Sequence, residues 1–147
     1  MDKFGAFPEA VAFSTVYHNI YFSLKYFFQM EINEALTKEV LVHHLTAFGN
    51  NDLDEIMKDY TEESEVLTPS GSLKGLTAIR QFFADYFVTI PTGSAFEMKQ
   101  MTVTHNVGYV AWASDSEIAT IPMGTDTFFL EGDKIRFHTV ADHRIIK

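Results

Sequence analysis

An α+β fold, with helices packed on one face of a curved and mostly antiparallel sheet, is what this 147-residue sequence predicts. Two patterns carry that reading. Apolar residues recur at helical spacing as far as Phe87, and alternation with a period of two takes over from Ala95 to the C-terminus. The hairpin signal Gly132-Asp133 then joins the last two strand-like runs.

The first 33 residues form an N-terminal extension, and residues 34–147 form the domain. In the extension, Pro8 and Glu9 open a helix. Phe13, Val16, Tyr17, Ile20, Tyr21, Leu24, Phe27 and Phe28 fall in one stripe, about 140° wide at ~100° per residue. Such a stripe is buried on its own domain, on a partner chain or over a pocket. A second helix is expected from Asn33 to Gly49, with Leu36, Val40, Leu41, His44, Leu45 and Phe48 inward. Asp52 caps the next helix, with Glu55 completing an Asp-x-x-Glu capping box. That helix ends near Tyr60. Glu65 to Thr68 reads as a short strand stopped by Pro69, followed by a turn at Ser70-Gly71-Ser72. Leu76, Ile79, Phe82, Phe83, Tyr86 and Phe87 mark a further helix. Strands follow at Ala95–His105, Gly108–Thr120, Met123–Glu131 and Lys134–Ile145.

Composition narrows the function classes. The formal charge of −9 argues against nucleic acid and anionic membranes as partners. The longest charge-free run, Ala10 to Leu24, is too short and polar to span a bilayer. Without cysteine there is no disulfide, thiolate nucleophile or cysteine-bound metal, which fits a cytoplasmic protein. The N-terminus lacks the basic region of a secretory leader. His43-His44 and His138 with Asp142-His143 are neighbours that point apart on a helix or strand, so no metal site is expected. The 14 Phe and 6 Tyr suit either an apolar pocket or a tightly packed core.

Three polar residues interrupt apolar faces. At ~100° per residue, His44 falls roughly 80° from Leu36, between Val40 and Phe48. A histidine there is either a core residue bonded to a backbone carbonyl or a pocket group. Asp126 shares its strand face with Phe128 and Leu130. On the last strand, Arg136, His138, Val140 and Asp142 form one face, and Ile135, Phe137, Thr139 and Ala141 the other.

The order of elements from Asn50 to Phe87, and the run Asp126-Thr-Phe-Phe-Leu-Glu-Gly-Asp-Lys-Ile135, resemble the nuclear-transport-factor-2-like superfamily. The likeness is to its SnoaL-like polyketide cyclase and ketosteroid isomerase group, and covers roughly Glu34 to Ile146. It implies a cone-shaped fold around one deep pocket, association as a homodimer, no cofactor, and a small apolar or polyketide-like ligand. It puts His44 where the isomerases carry an oxyanion-binding tyrosine, and makes Asp126 a cavity acid whose apolar surroundings keep its proton on. His138, Val140 and Asp142 then face the cavity, with Thr68, Trp112 and Phe128 around it. His138 is the expected general base, with His44 and Asp126 donating to an oxyanion. The family's Glu-His-Trp run reads Phe-His-Thr here, and the isomerase base position is Thr68, which cannot abstract a proton near neutral pH. That departure shifts the expectation from steroid isomerisation towards acid–base sets like those of cyclases or scytalone dehydratase. The alternative is a ligand-binding or association module of the same fold.

Overall fold

The structure, a computed structural model, describes the backbone of residues 9–147 and the side chains of residues 17–25 and 33–147. Helix α1 runs without a break over Glu9–Gly49, where the sequence reading expected two helices meeting near residue 33. The stretch Phe28-Gln29-Met30-Glu31-Ile32-Asn33 has neither Gly nor Pro, so nothing in it stops a helix. The chain divides into two compact units, Met1–Ile32 and Asn33–Lys147. In the first, Tyr17, Ile20, Tyr21 and Leu24 of the expected stripe are exposed in the single chain. The side chains of Phe13, Val16, Phe27 and Phe28, and Pro8 itself, lie outside the described residues. Among the described residues no helix is long and apolar enough to cross a membrane.

The second unit is α+β. Residues 33–49 of α1, α2 (Leu53–Met57) and α3 (Gly75–Thr89) accompany strands β1 (Glu65–Thr68), β2 (Gly71–Lys74), β3 (Ala95–Thr104), β4 (Val107–Asp115), β5 (Ala119–Glu131) and β6 (Lys134–Ile146). The six strands form one sheet in the order β2-β1-β6-β5-β4-β3. Every pairing is antiparallel except that of β1 with β6. Val40 and Leu41 of α1, Ile56 of α2, and Ile79 and Phe83 of α3 share one core with Val66, Val110, Phe128, Leu130 and Ile135 of the sheet. The helices therefore bury their apolar faces on the sheet, the arrangement that an amphipathic helix and a half-buried sheet each require.

Local chemistry explains the boundaries. Asp52 caps α2 by accepting the Glu55 N–H at 3.1 Å. The Glu55 side chain completes no capping box; it is bonded to Lys58 at 2.5 Å and to His43 at 3.3 Å. Of the turn expected at Ser70-Gly71-Ser72, Gly71 and Ser72 instead open strand Gly71–Lys74, paired with β1. The break expected between Thr120 and Met123 falls earlier, because Ser116 Oγ accepts the N–H groups of Ile118 and Ala119 and closes a tight turn. Pro122 instead sits inside β5 at a register shift between Thr120 and Met123, where its missing N–H costs the ladder nothing. A second shift pairs Phe129 with Phe137 but Leu130 with Ile135. That bulge overturns the strict alternation expected for β6: Ile135 and His138, assigned to opposite faces, are both buried.

Candidate functional site

Beyond the bulge, β5 and β6 are in register, with Phe128 opposite His138 and Asp126 opposite Val140. Asp126 and His138 are thus diagonal neighbours on the buried face, within reach of one another. The His138 ring stacks on Phe128 with centroids 4.3 Å apart. Across from it stands His44 of α1, its ring 5.8 Å from that of His138 and almost perpendicular to it. His44, Trp112, Asp126, Phe128, His138 and Val140 all line one cavity, closed on the helix side by Phe82, Phe83 and Tyr86 of α3. Its volume is about 20 Å³, room for one water-sized group.

Thr68 and Asp142, expected at the same cavity, line a neighbouring cleft of about 380 Å³ together with Ser70, Ser72 and Arg144. Phe82, Tyr86 and Val140 border both spaces. Thr68 holds the β1–β2 turn, donating to the Gly71 carbonyl at 3.0 Å and accepting the Ser70 N–H at 3.1 Å. Asp142 accepts a hydrogen bond from the Tyr86 hydroxyl and pairs with Arg144 at 2.9 Å. Burial, and then the Asp142 carboxylate, push the Tyr86 phenol far above its ordinary value. The Arg144 guanidinium also lies over the Tyr86 ring, 4.9 Å from its centre. These contacts tie α3 to β6 where the cavity meets the cleft.

Inside the cavity the polar groups form a chain. The Trp112 indole N–H donates to Asp126 Oδ2 at 2.6 Å, and His138 Nε2 lies 3.3 Å from Asp126 Oδ1. His138 Nδ1 is 2.9 Å from the Tyr60 hydroxyl. Burial, then the charges of Asp126 and Asp59, push the Tyr60 phenol well up, so it keeps its proton. If Tyr60 donates to Nδ1, a single ring proton on His138 sits on Nε2 and faces Asp126. Asp126 thus accepts from the Trp112 indole and shares one proton with His138 Nε2, a contact in which either partner can be the donor. Tyr60 was missed because it follows the last turn of α2, in a stretch with no periodicity to mark it.

His44 is 3% exposed. Burial holds its imidazole below the ordinary value, and the nearby Asp59 only partly offsets this. The unfolded chain therefore takes up a proton below pH 6.5 that the folded chain refuses. Stability is lost as pH falls through that window, at up to about 1.4 kcal/mol per pH unit. Its neighbour His43 works in the opposite sense. Burial lowers it, but Asp59 and Glu55 together outweigh burial and raise it, so its contribution is present at low pH and is lost as pH rises through its folded value. His44→Gln is expected to flatten the acid limb of the stability curve and His43→Gln to steepen it, measured as urea midpoints between about pH 7.5 and about pH 5.

Residues 41–147 match the SnoaL-like domain family. No curated protein matches the chain. Among solved structures, a candidate ketosteroid isomerase from Kribbella flavida DSM 17836 is 9% identical with a TM-score of 0.66, covering 78% of this chain and 83% of its own. An NTF2-like protein of unknown function from Mesorhizobium loti is 14% identical with a TM-score of 0.65, over 76% and 93% of the two chains. A candidate polyketide cyclase from Sinorhizobium meliloti is 15% identical with a TM-score of 0.58, over 70% and 94%. At these identities the likeness is one of fold. The family match spans most of the chain and includes every side chain that lines the cavity, so this protein belongs to the SnoaL-like family.

Proposed function

We propose that the cavity carries cofactor-independent acid–base catalysis on a small, mostly apolar compound bearing a carbonyl or hydroxyl group: an isomerisation, cyclisation or dehydration. One observation carries the reading: Asp126 and His138 meet at 3.3 Å in a cavity walled mostly by aromatic rings. A proton shared along one carboxylate–imidazole contact lets the pair act as base in one state and as acid in the other. Phe82, Phe83, Phe96 and Phe128 supply an apolar lining, which strengthens every charge interaction inside it.

A second reading, a non-catalytic ligand-binding or association module, is favoured by the small cavity volume. The ring of Tyr86 and that of Phe82 must swing aside before anything larger than water enters from the outer cleft. Trp112, the single tryptophan, reports on both readings by its fluorescence. Small cyclic ketones are expected to quench it saturably and to exchange deuterium from the solvent at the carbon next to the carbonyl, followed by NMR. Quenching without exchange across such a panel would leave the binding module. Tyr86→Phe removes the hydroxyl that ties α3 to Asp142, and is expected to speed ketone association several-fold in stopped-flow quenching, with a smaller change in affinity.

A further inference from the structure

The buried polar groups that the Asp126–His138 pair does not use stand on the far side of His44. Asp59, 5% exposed, lies between α2 and β1. Its backbone is pinned, with the N–H donating to the Ile56 carbonyl at 3.1 Å and the carbonyl accepting from Ile135 at 2.8 Å. The carboxylate reaches two consecutive histidines of α1. Oδ1 accepts from His43 Nδ1 at 2.8 Å, and Oδ2 lies 3.3 Å from His44 Nδ1. Among the described residues those last two atoms form no hydrogen bond, with each other or with any other group, and are fully buried. Two orphaned polar atoms 3.3 Å apart satisfy one another only if a proton lies between them and a small ring rotation aligns it.

The remaining surroundings of His44 offer no competing partner. The rings of Tyr60, Phe83, Phe128 and His138 meet it edge to face, with centroids 5.2–5.8 Å away. Nε2 has no hydrogen bond among the described residues, and the ring lines the cavity. His43, by contrast, is 40% exposed at its side chain, and its Nε2 lies 3.3 Å from Glu55 Oε2. Glu55 in turn is paired with Lys58. One carboxylate therefore links a solvent-facing histidine to a cavity histidine.

We propose that Asp59 is a positioning residue: it locks His44 as the Nδ1–H tautomer, so that Nε2 presents a lone pair to the cavity as a second proton acceptor, and it makes that lock responsive to the charge on His43. The role of His44 as acceptor rests on the acid–base reading of the cavity; the tautomer and its coupling to His43 do not. The groups that face His44 are Asp59, Tyr60, Asp126 and His138, and those that face His43 are Asp59 and Glu55. When His43 takes a proton, its cation competes for the Asp59 charge that orients His44. The His44 signal should therefore move as His43 titrates, before His44 itself does.

The test uses the full chain labelled with 15N-histidine and needs no ligand. Long-range 1H–15N spectra against pH are expected to show His44 with a protonated Nδ1 and a bare Nε2, and an inflection in its shifts at the titration point of His43. In His43→Gln that inflection should vanish while the tautomer stays. Asp59→Asn leaves one acceptor oxygen for two Nδ1–H groups, so His43 or His44 must change tautomer. A bare Nδ1 at His44 in the native protein overturns the proposal, as does an inflection that survives in His43→Gln. Two unchanged rings in Asp59→Asn would overturn it as well. If Asp59→Asn does not fold, the native spectrum and His43→Gln decide on their own. A protein that passes this test but exchanges no deuterium into ketones would retain the lock and lose only the catalytic reading.

Discussion

Asp126→Asn is expected to lower the rate of deuterium exchange by about 10²–10⁴-fold, the usual weight of a positioned acid–base group, with the fold retained. The reason lies in hydrogen-bond polarity. Trp112 Nε1 can only donate, and it holds the Oδ2 position at 2.6 Å. The asparagine oxygen must stay there, which turns the amide NH₂ towards His138. His138 then has to bare Nε2 and carry its proton on Nδ1, and the Tyr60 hydroxyl, 2.9 Å from Nδ1, has to accept it. The Tyr60 O–H, buried and bonded to His138 alone among the described residues, is then left without an acceptor, so stability should fall by about 1–3 kcal/mol. The shared proton is gone, and with it the means of alternating between acid and base. Nitrogen shifts of His138 report the inversion directly. An unchanged His138 tautomer, or full activity in Asp126→Asn, would remove this pair from the chemistry.

The partial legibility of that pair in the sequence has a simple physical basis. A polar residue on an apolar face is conspicuous wherever the period is regular, and His44 and Asp126 each sit in such a run, whereas His138 shares its face with Arg136 and Asp142 and was placed by the family likeness. Groups that owe their place to irregular backbone leave no comparable mark. Asp59 and Tyr60 follow the short helix α2, and their partners lie more than a dozen residues away on α1 or at the far end of the chain. The bulge between Phe129 and Leu130 is similar: alternation predicts one face for Ile135 and the other for His138, and only the register shift buries both. Thr68 and Asp142 were placed by the family likeness at one pocket. Tyr86 and Phe82 divide that space in two, a consequence of side-chain packing that no periodicity encodes.

Gly124→Ala should be among the most disruptive single-methyl changes in the chain. Gly124 lies opposite Trp112 in the β4–β5 ladder, and the indole is folded down over it. A Cβ on Gly124 would sit 2.8 Å from Trp112 Cδ2 and closer still to Cε2 and Cζ2. The indole is 2% exposed and packed against Phe96 at 5.6 Å, so it has no free space to retreat into. Overpacking of this kind costs about 1–3 kcal/mol. Displacing the ring also breaks its bond to Asp126 and leaves a buried donor and acceptor unpaired, for about another 1–3 kcal/mol. The expected result is a lower urea midpoint together with altered emission from the single tryptophan and loss of ketone quenching. Gly49→Ala is the control, since a Cβ there meets nothing within 4 Å, and it should change stability by about 0.5 kcal/mol or less. If Gly124→Ala proved as mild as Gly49→Ala, the indole would be free to move, and Trp112 could not be the fixed donor that sets the polarity of Asp126.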